Sequence, residues 1–237
     1  MATKRKNPTE SAKLSATQLA KEIVNRVDSL PGRTVPAFRL LRREYSKLLG
    51  QADPGLVLKT AGQLVERQQI ACRFVAYELI CHHPAALKSL NSRQLISLGR
   101  GLDSWGSVDC FACYLAGRAW HNRQVPDALI HRWAASADRW WRRAALVSTV
   151  PLNSRAQGGT GDSARTLTVC RLLIRDRDDM VVKAMSWALR ELAKRDPKAV
   201  ESFVLENQLA IASRVIREVR NKLTTGRKNP LLKRISN

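Results

Sequence analysis

The chain has 237 residues, 44% of them hydrophobic, which is enough for a sizeable buried core and too many for a chain disordered throughout. Lys and Arg number 41 against 20 Asp and Glu, and the net charge of +21 points to a polyanionic partner. No apolar run approaches the roughly 20 residues of a membrane span, no hydrophobic signal region follows Met1–Lys6, and no basic amphipathic helix flanked by aromatics stands out. Nucleic acid is therefore the expected partner, with no membrane, and the expected location is cytoplasmic.

In chain order, residues 1–12 read as a flexible basic tail. Leu19, Ile23, Val24, Val27 and Leu30 recur at helical spacing and Pro31-Gly32 ends the run. Pro36 suits the first turn of a helix carrying Phe38, Leu41, Tyr45 and Leu48-Leu49, closed by Gly50. Asp53-Pro54 opens a third helix, through Val65, as cap and first helical residue. A helix over Ile70–Cys81 stops at His82-His83-Pro84, and short helices at 84–90 and 92–100 lead to Gly101. A helix over Trp105–Trp120 follows, then one from Pro126 to Ala135 and one from Asp138 to Val150, which Pro151 stops. The glycine run at 158–161 reads as a flexible connector, because no strand precedes it and no Lys-Ser/Thr follows. Helices resume at 163–174, 179–194, 197–206 and 210–223, and a basic tail occupies 225–237. No strand of useful length is evident, so the expected fold is all-α.

Ala71, Asp109, Arg143 and Lys183 can be taken as equivalent positions of similar helices, with spacings of 38, 34 and 40. That period predicts HEAT-like helical pairs stacked into an α-solenoid of about a dozen helices, a single domain over 13–224 with a basic concave surface. Equivalent positions line one surface, which places Asp109, Arg143 and Lys183 on one stripe with Trp105 and Trp187 a turn to either side. Trp105 and Asp109 are four residues apart where a polar connection becomes a helix, so they share a face. Asp109 is expected in the first turn, where the helix dipole keeps a carboxylate ionised. A flat indole beside a fixed negative charge suits a cationic guest. Trp140 and Trp141 are adjacent and cannot share a face, so one is expected in the core and the other nearer the surface.

The first 50 residues carry 11 basic against 4 acidic residues, and the segment from Arg214 onward carries 8 against 1. Such ends suit phosphate contacts that position DNA without reading bases. Cys110-Phe111-Ala112-Cys113 has C-x-x-C spacing but no second pair and no βαβ context, and it reads as two small apolar residues of one helix. Five cysteines, an odd number, argue against a disulfide framework. No metal and no cofactor are expected.

Four stretches resemble the AlkD-like DNA alkylation-repair glycosylases, a HEAT-like-repeat family. Trp105-Gly106-Ser107-Val108-Asp109 matches its Trp-x-x-x-Asp, with Gly106 where the family commonly has an aspartate. Trp140-Trp141-Arg142-Arg143-Ala144-Ala145 matches its Trp-x-x-Arg-Ala-Ala, and Lys183 to Glu191 matches its Lys-Ala-x-x-Trp-x-Leu-Arg-Glu. Ser213-Arg214 through Lys222-Leu223 resembles its C-terminal ending. The resemblance covers about 67–223 and is weaker before that. It implies a monofunctional glycosylase that hydrolyses the N-glycosidic bond of cationic N-alkylated purines, of the 3-methyladenine and 7-methylguanine type, in double-stranded DNA. No lyase step and no flipping of the base into a pocket are implied. It also implies Trp105 and Trp187 against the lesion nucleotide, Asp109 as stabiliser of positive charge on the sugar, and Arg143 on a nearby phosphate. Arg142, Lys183, Arg190 and Arg214 are further expected DNA contacts. One copy suffices on DNA, so a monomer is expected. The alternative is a non-catalytic HEAT-repeat protein that binds damaged or branched DNA.

Overall fold

The computed structural model describes residues 15–229, and all regular structure among them is helical. The expected tail at 1–12, and residues 230–237 of the C-terminal one, lie outside the described residues. Backbone contacts divide the chain between Gly101 and Leu102 into two compact units.

The first unit holds α1 (Ala16–Asp28), α2 (Val35–Leu49), α3 (Pro54–Glu66), α4 (Ile70–Cys81), α5 (Pro84–Lys88) and α6 (Ser92–Leu98). Local chemistry fixes the starts. Ser15 and Gln18 form a reciprocal cap, as do Asn91 and Gln94, while Thr34 and Asp53 each accept a backbone N–H of the first turn ahead of an early proline. α4 is the central helix and packs on α2 and α3. It is buried on nearly every side, so its charged residues need partners. Glu78 accepts from Arg39 and Arg42, each at 3.0 Å. Arg73 donates to the Tyr77 hydroxyl, to Gln68 and to the carbonyls of Arg100 and Gly101.

The second unit holds α7 (Trp105–Phe111), α8 (Gly117–His121), α9 (Asp127–Ala134), α10 (Arg139–Val147), α11 (Val150–Asn153), α12 (Ser163–Leu172), α13 (Asp179–Leu192), α14 (Pro197–Glu206) and α15 (Ser213–Thr225). Asp138, Asp162, Asp178 and Asp196 cap α10, α12, α13 and α14. α7 packs on α10, α10 on α13 and α13 on α15, which makes a row. Behind it, α9 packs on α10 and α12, α12 on α13, and α14 on α13 and α15. Neither Trp140 nor Trp141 is fully buried, so the expectation of one core and one surface tryptophan is corrected: half-buried Trp141 lies 4.9 Å from the Trp133 ring and edge-on to Phe111 at 6.0 Å, which fastens α10 to α9 and α7. Trp140 is half-buried with Arg139 stacked over its ring at 4.8 Å.

Three local expectations are corrected. The helix expected over 105–120 is interrupted by a π-helical turn at Ala112–Ala116, one residue wider than an α-turn. Pro151 does not stop α10, which already ends at Val147: it sits in the first turn of α11, where its missing N–H costs nothing. The glycine run is pinned rather than loose. Gly159 N–H donates to the Ser154 carbonyl, Gly161 N–H donates to that of Leu152, and Arg195 donates to the Gly159 carbonyl at 2.6 Å. A Cβ at Gly159 would collide with the carbonyls of Pro151 and Leu152, so only glycine fits there.

Gly117, just after the π turn, packs equally close. A Cβ there would meet the Ser148 carbonyl oxygen at 2.6 Å and the Pro151 ring at 2.7 Å. Backbone cannot yield as a flexible side chain does, so Gly117→Ala is expected to destabilise by about 1–3 kcal/mol despite alanine's better helix propensity. Gly62→Ala, where an added Cβ meets nothing within 4 Å, is the control and should not destabilise. Thermal melting of the two variants checks this, and equal melting temperatures would refute the packing argument.

Candidate functional site

The site grows from the start of α7. The Ser104 hydroxyl faces the N–H of Ser107 at 3.5 Å and shares a 2.9 Å hydrogen bond with its hydroxyl, and Ser107 in turn donates to the Ser104 carbonyl. This cap makes Trp105 the first helical residue, and the residue is 63% exposed. Asp109 follows one turn later on the same face. It is the fifth helical residue, so it lies in the second turn and not the first, where the sequence placed it. The helix terminus is not what holds it.

Arg143 holds it instead. Its Nε donates to Asp109 Oδ1 at 2.9 Å and its Nη2 to Oδ2 at 2.8 Å, a two-pronged pair across α7 and α10. Its Nη1 donates to the Met180 carbonyl of α13 at 2.6 Å. One guanidinium therefore fastens three neighbouring helices and aims the carboxylate. The side chains of Arg143 and Asp109 are 6% and 18% exposed. Burial raises the Asp109 pKa, the hydrogen bonds and charge of Arg143 lower it, and the net position is above the ordinary 3.8. Arg143 was expected on a phosphate; in this structure each of its three nitrogens has a partner inside the protein.

The other expected DNA contacts divide. Arg142 points to Asp176 at 2.7 Å and to the carbonyls of Ser136 and Ala137, which staples the loops before α10 and α13 rather than facing outward. Lys183 is not on the Asp109–Arg143 pair. It binds Asp179 at 2.6 Å, and Arg214 of α15 binds the same carboxylate at 2.9 Å. Arg214 Nε also donates to Glu218 at 3.0 Å, Ser186 donates to Glu218 at 2.5 Å, and Arg190 donates to Ser186 at 3.1 Å. Lys183, Arg190 and Arg214 therefore belong to one network on α13 and α15. Half-buried Trp187 stands on α13 between Lys183 and Arg190. Burial pushes Glu218 up, but the Ser186 and Arg214 hydrogen bonds outweigh it and leave the carboxyl below its usual range. The Lys183 and Arg214 contacts hold Asp179 below its own.

Sequence reasoning missed Asp179, Glu218 and the Met180 carbonyl as partners. The signal was present as opposite charges one helical pair apart, at separations of 34 for Asp109–Arg143, 34 for Arg142–Asp176 and 35 for Asp179–Arg214.

Among the described residues no group of three or more His, Cys, Asp or Glu is placed to hold a metal ion, and no helix is long and apolar enough to cross a membrane. Cys113, of the C-x-x-C pair, is buried, which pushes its thiol far up and leaves it unreactive. The arrangement therefore offers one rigidly aimed carboxylate beside an exposed indole on α7, with a cationic network two helices along. Among curated proteins none matches the chain. A family model described as DNA alkylation repair enzyme matches residues 10–223, across both units, and the chain belongs to that family.

Proposed function

We propose that the protein is a monofunctional alkylpurine DNA N-glycosylase, acting on cationic N-alkylated purines of the 3-methyladenine and 7-methylguanine type in duplex DNA. The observation that carries this reading is the Asp109 carboxylate, locked by Arg143 one turn from the exposed Trp105. The row α7, α10, α13 and α15 supports a HEAT-like stack in this unit that presents these residues together with Lys183, Trp187, Arg190 and Arg214.

The chemistry follows from the substrate's charge. A purine alkylated at N3 or N7 is already a cation and leaves with the glycosidic electron pair as a neutral base. It needs no protonation by a general acid and no base-binding pocket. Positive charge then develops on the deoxyribose, and an ionised carboxylate in a fixed position stabilises it. The electron-rich indole faces of Trp105 and Trp187 add attraction for the same centre. Asp109 orients the water that attacks the anomeric carbon. The proton lost from that water goes to solvent, and an abasic site remains. No lysine is assigned as a Schiff-base nucleophile, so the strand stays intact. The reading needs one copy of the chain and no cofactor. Arg143 acts in it as a positioning residue for Asp109.

The test is release of free base from duplex DNA carrying 7-methylguanine or 3-methyladenine, followed by chromatography. Free base should appear together with alkali-labile abasic sites, without spontaneous strand breaks. Duplex binding with no release from either lesion would replace this reading with that of a non-catalytic DNA-binding protein.

A further inference from the structure

The Asp179 carboxylate differs from those of Asp109 and Asp176 in what surrounds it. Asp109 and Asp176 are largely buried against arginines that also bind backbone carbonyls. Asp179 stands in the open, its side chain 56% exposed, with Lys183 Nζ and Arg214 Nη1 both turned to it. A lysine and an arginine that converge on two oxygens of one exposed anion are arranged as they would be for a phosphodiester.

Arg214 does not depend on Asp179 for its placement. Arg214 is held from its other side by Glu218, which is 3% exposed and is itself held by Ser186 and by Lys228 at 3.5 Å. Lys183 rises from the second turn of α13. If the carboxylate swings out, the guanidinium stays where it is. Asp179 is not needed as the helix cap either, because Asp178 accepts the Met180 N–H at 2.8 Å. Exposed pairs of this kind hold weakly, so exchange for an external anion is easy.

We propose that Lys183 and Arg214 form a binding site for a backbone phosphate of duplex DNA, which Asp179 occupies in the free protein and yields when DNA binds. This rests on the reading of the protein as one that works on duplex DNA. Asp179 then acts as a brake on non-specific binding: a phosphate must displace it before the two cations are gained.

The experiment is fluorescence anisotropy with a labelled, undamaged duplex over a series of salt concentrations. The proteins are the wild type, Asp179→Asn, Glu201→Gln and the double variant Asp179→Asn with Lys183→Ala. Glu201→Gln makes the same charge change at an exposed position of α14. Asp179→Asn should tighten binding about threefold to fivefold, the factor that an exposed ion pair can withhold. Its dependence of log affinity on log salt should steepen by about one contact. Glu201→Gln should bind as the wild type does, and adding Lys183→Ala should abolish the gain. Asp179→Asn binding no tighter than wild type, or Glu201→Gln gaining as much, overturns the proposal while leaving the DNA reading intact. No binding of duplex by the wild type overturns both. A final arm adds inorganic phosphate to Asp179→Asn at matched ionic strength. If the gain persists, the ligand is the DNA backbone, and if phosphate erases it, the site is one for free phosphate and the proposal fails.

Discussion

Asp109→Asn is expected to lose at least about a hundredfold in the rate of base release while the protein stays folded and still binds duplex DNA. The substitution keeps the size of the side chain and one oxygen acceptor for Arg143, but it removes the negative charge that the sugar cation needs. Single-turnover release from a 7-methylguanine duplex gives the rate, anisotropy gives the binding, and thermal melting gives the fold. A variant that binds and melts like the wild type and still releases base at its rate would remove Asp109 from the chemistry. The same residue sets the acid limit. Its pKa lies above 3.8 in the folded protein, so activity should fall as pH drops through a value higher than that of an ordinary aspartate. The sign is unusual. Because the folded state binds this proton more tightly than the unfolded chain does, its uptake favours the folded state, so this group does not drive acid unfolding and activity should fade while the fold is intact. Loss of activity only in step with loss of helix signal would contradict this.

Arg143→Ala should be the most damaging single change in the second unit. It strands a largely buried carboxylate, frees the Met180 carbonyl and unlinks α7 from α10 and α13. Breaking a buried pair from one side costs about 3–5 kcal/mol, which for a chain of this size corresponds to a melting temperature lower by on the order of 10 °C. Arg143→Lys keeps the charge but replaces a planar fork by one ammonium, so it should recover part of the stability and little of the activity. The decisive measurement is salt dependence. A positioning residue leaves the slope of log affinity against log salt unchanged, whereas a phosphate contact lowers it by about one. A lower slope in Arg143→Ala, which removes the charge, measured below its melting transition, would return Arg143 to the DNA.

The helices were legible because each level of the sequence agrees on them. Asp53-Pro54, Asp138 and Asp196-Pro197 signal starts through local chemistry, and α4 and α14 begin and end where the sequence placed them. The pairing of side chains was less legible. Aligning the helices put Asp109 level with Arg143, and the structure joins them, but as direct partners in a two-pronged ion pair. A stripe of equivalent positions tells which residues are neighbours, not whether each points at the next helix or at solvent. That depends on the crossing of the helices and on how much charge the interior must neutralise. Arg142 shows the same thing: it reads as one more cation in a basic motif and folds as the clasp of two loops. The tightness of the glycine run was hidden for a related reason, since its partners Leu152, Ser154 and Arg195 come from α11, from the loop's own start and from the turn after α13.

The π-helical turn at Ala112–Ala116 has a consequence for how this region can change by insertion and deletion. It carries one residue more than the α-helical path between the same two ends, taken up in one wider turn, so α7 and α8 keep the phase of an unbroken α-helix. Loss of any one residue between Ala112 and Ala116 would let α7 run on into α8 as an unbroken α-helix, with Trp105 and Asp109 facing as before relative to Gly117 and Trp120. A single-codon deletion here should therefore leave the carboxylate aimed at Arg143, whereas the same deletion inside α12 would turn one end of that helix by about 100° against the other.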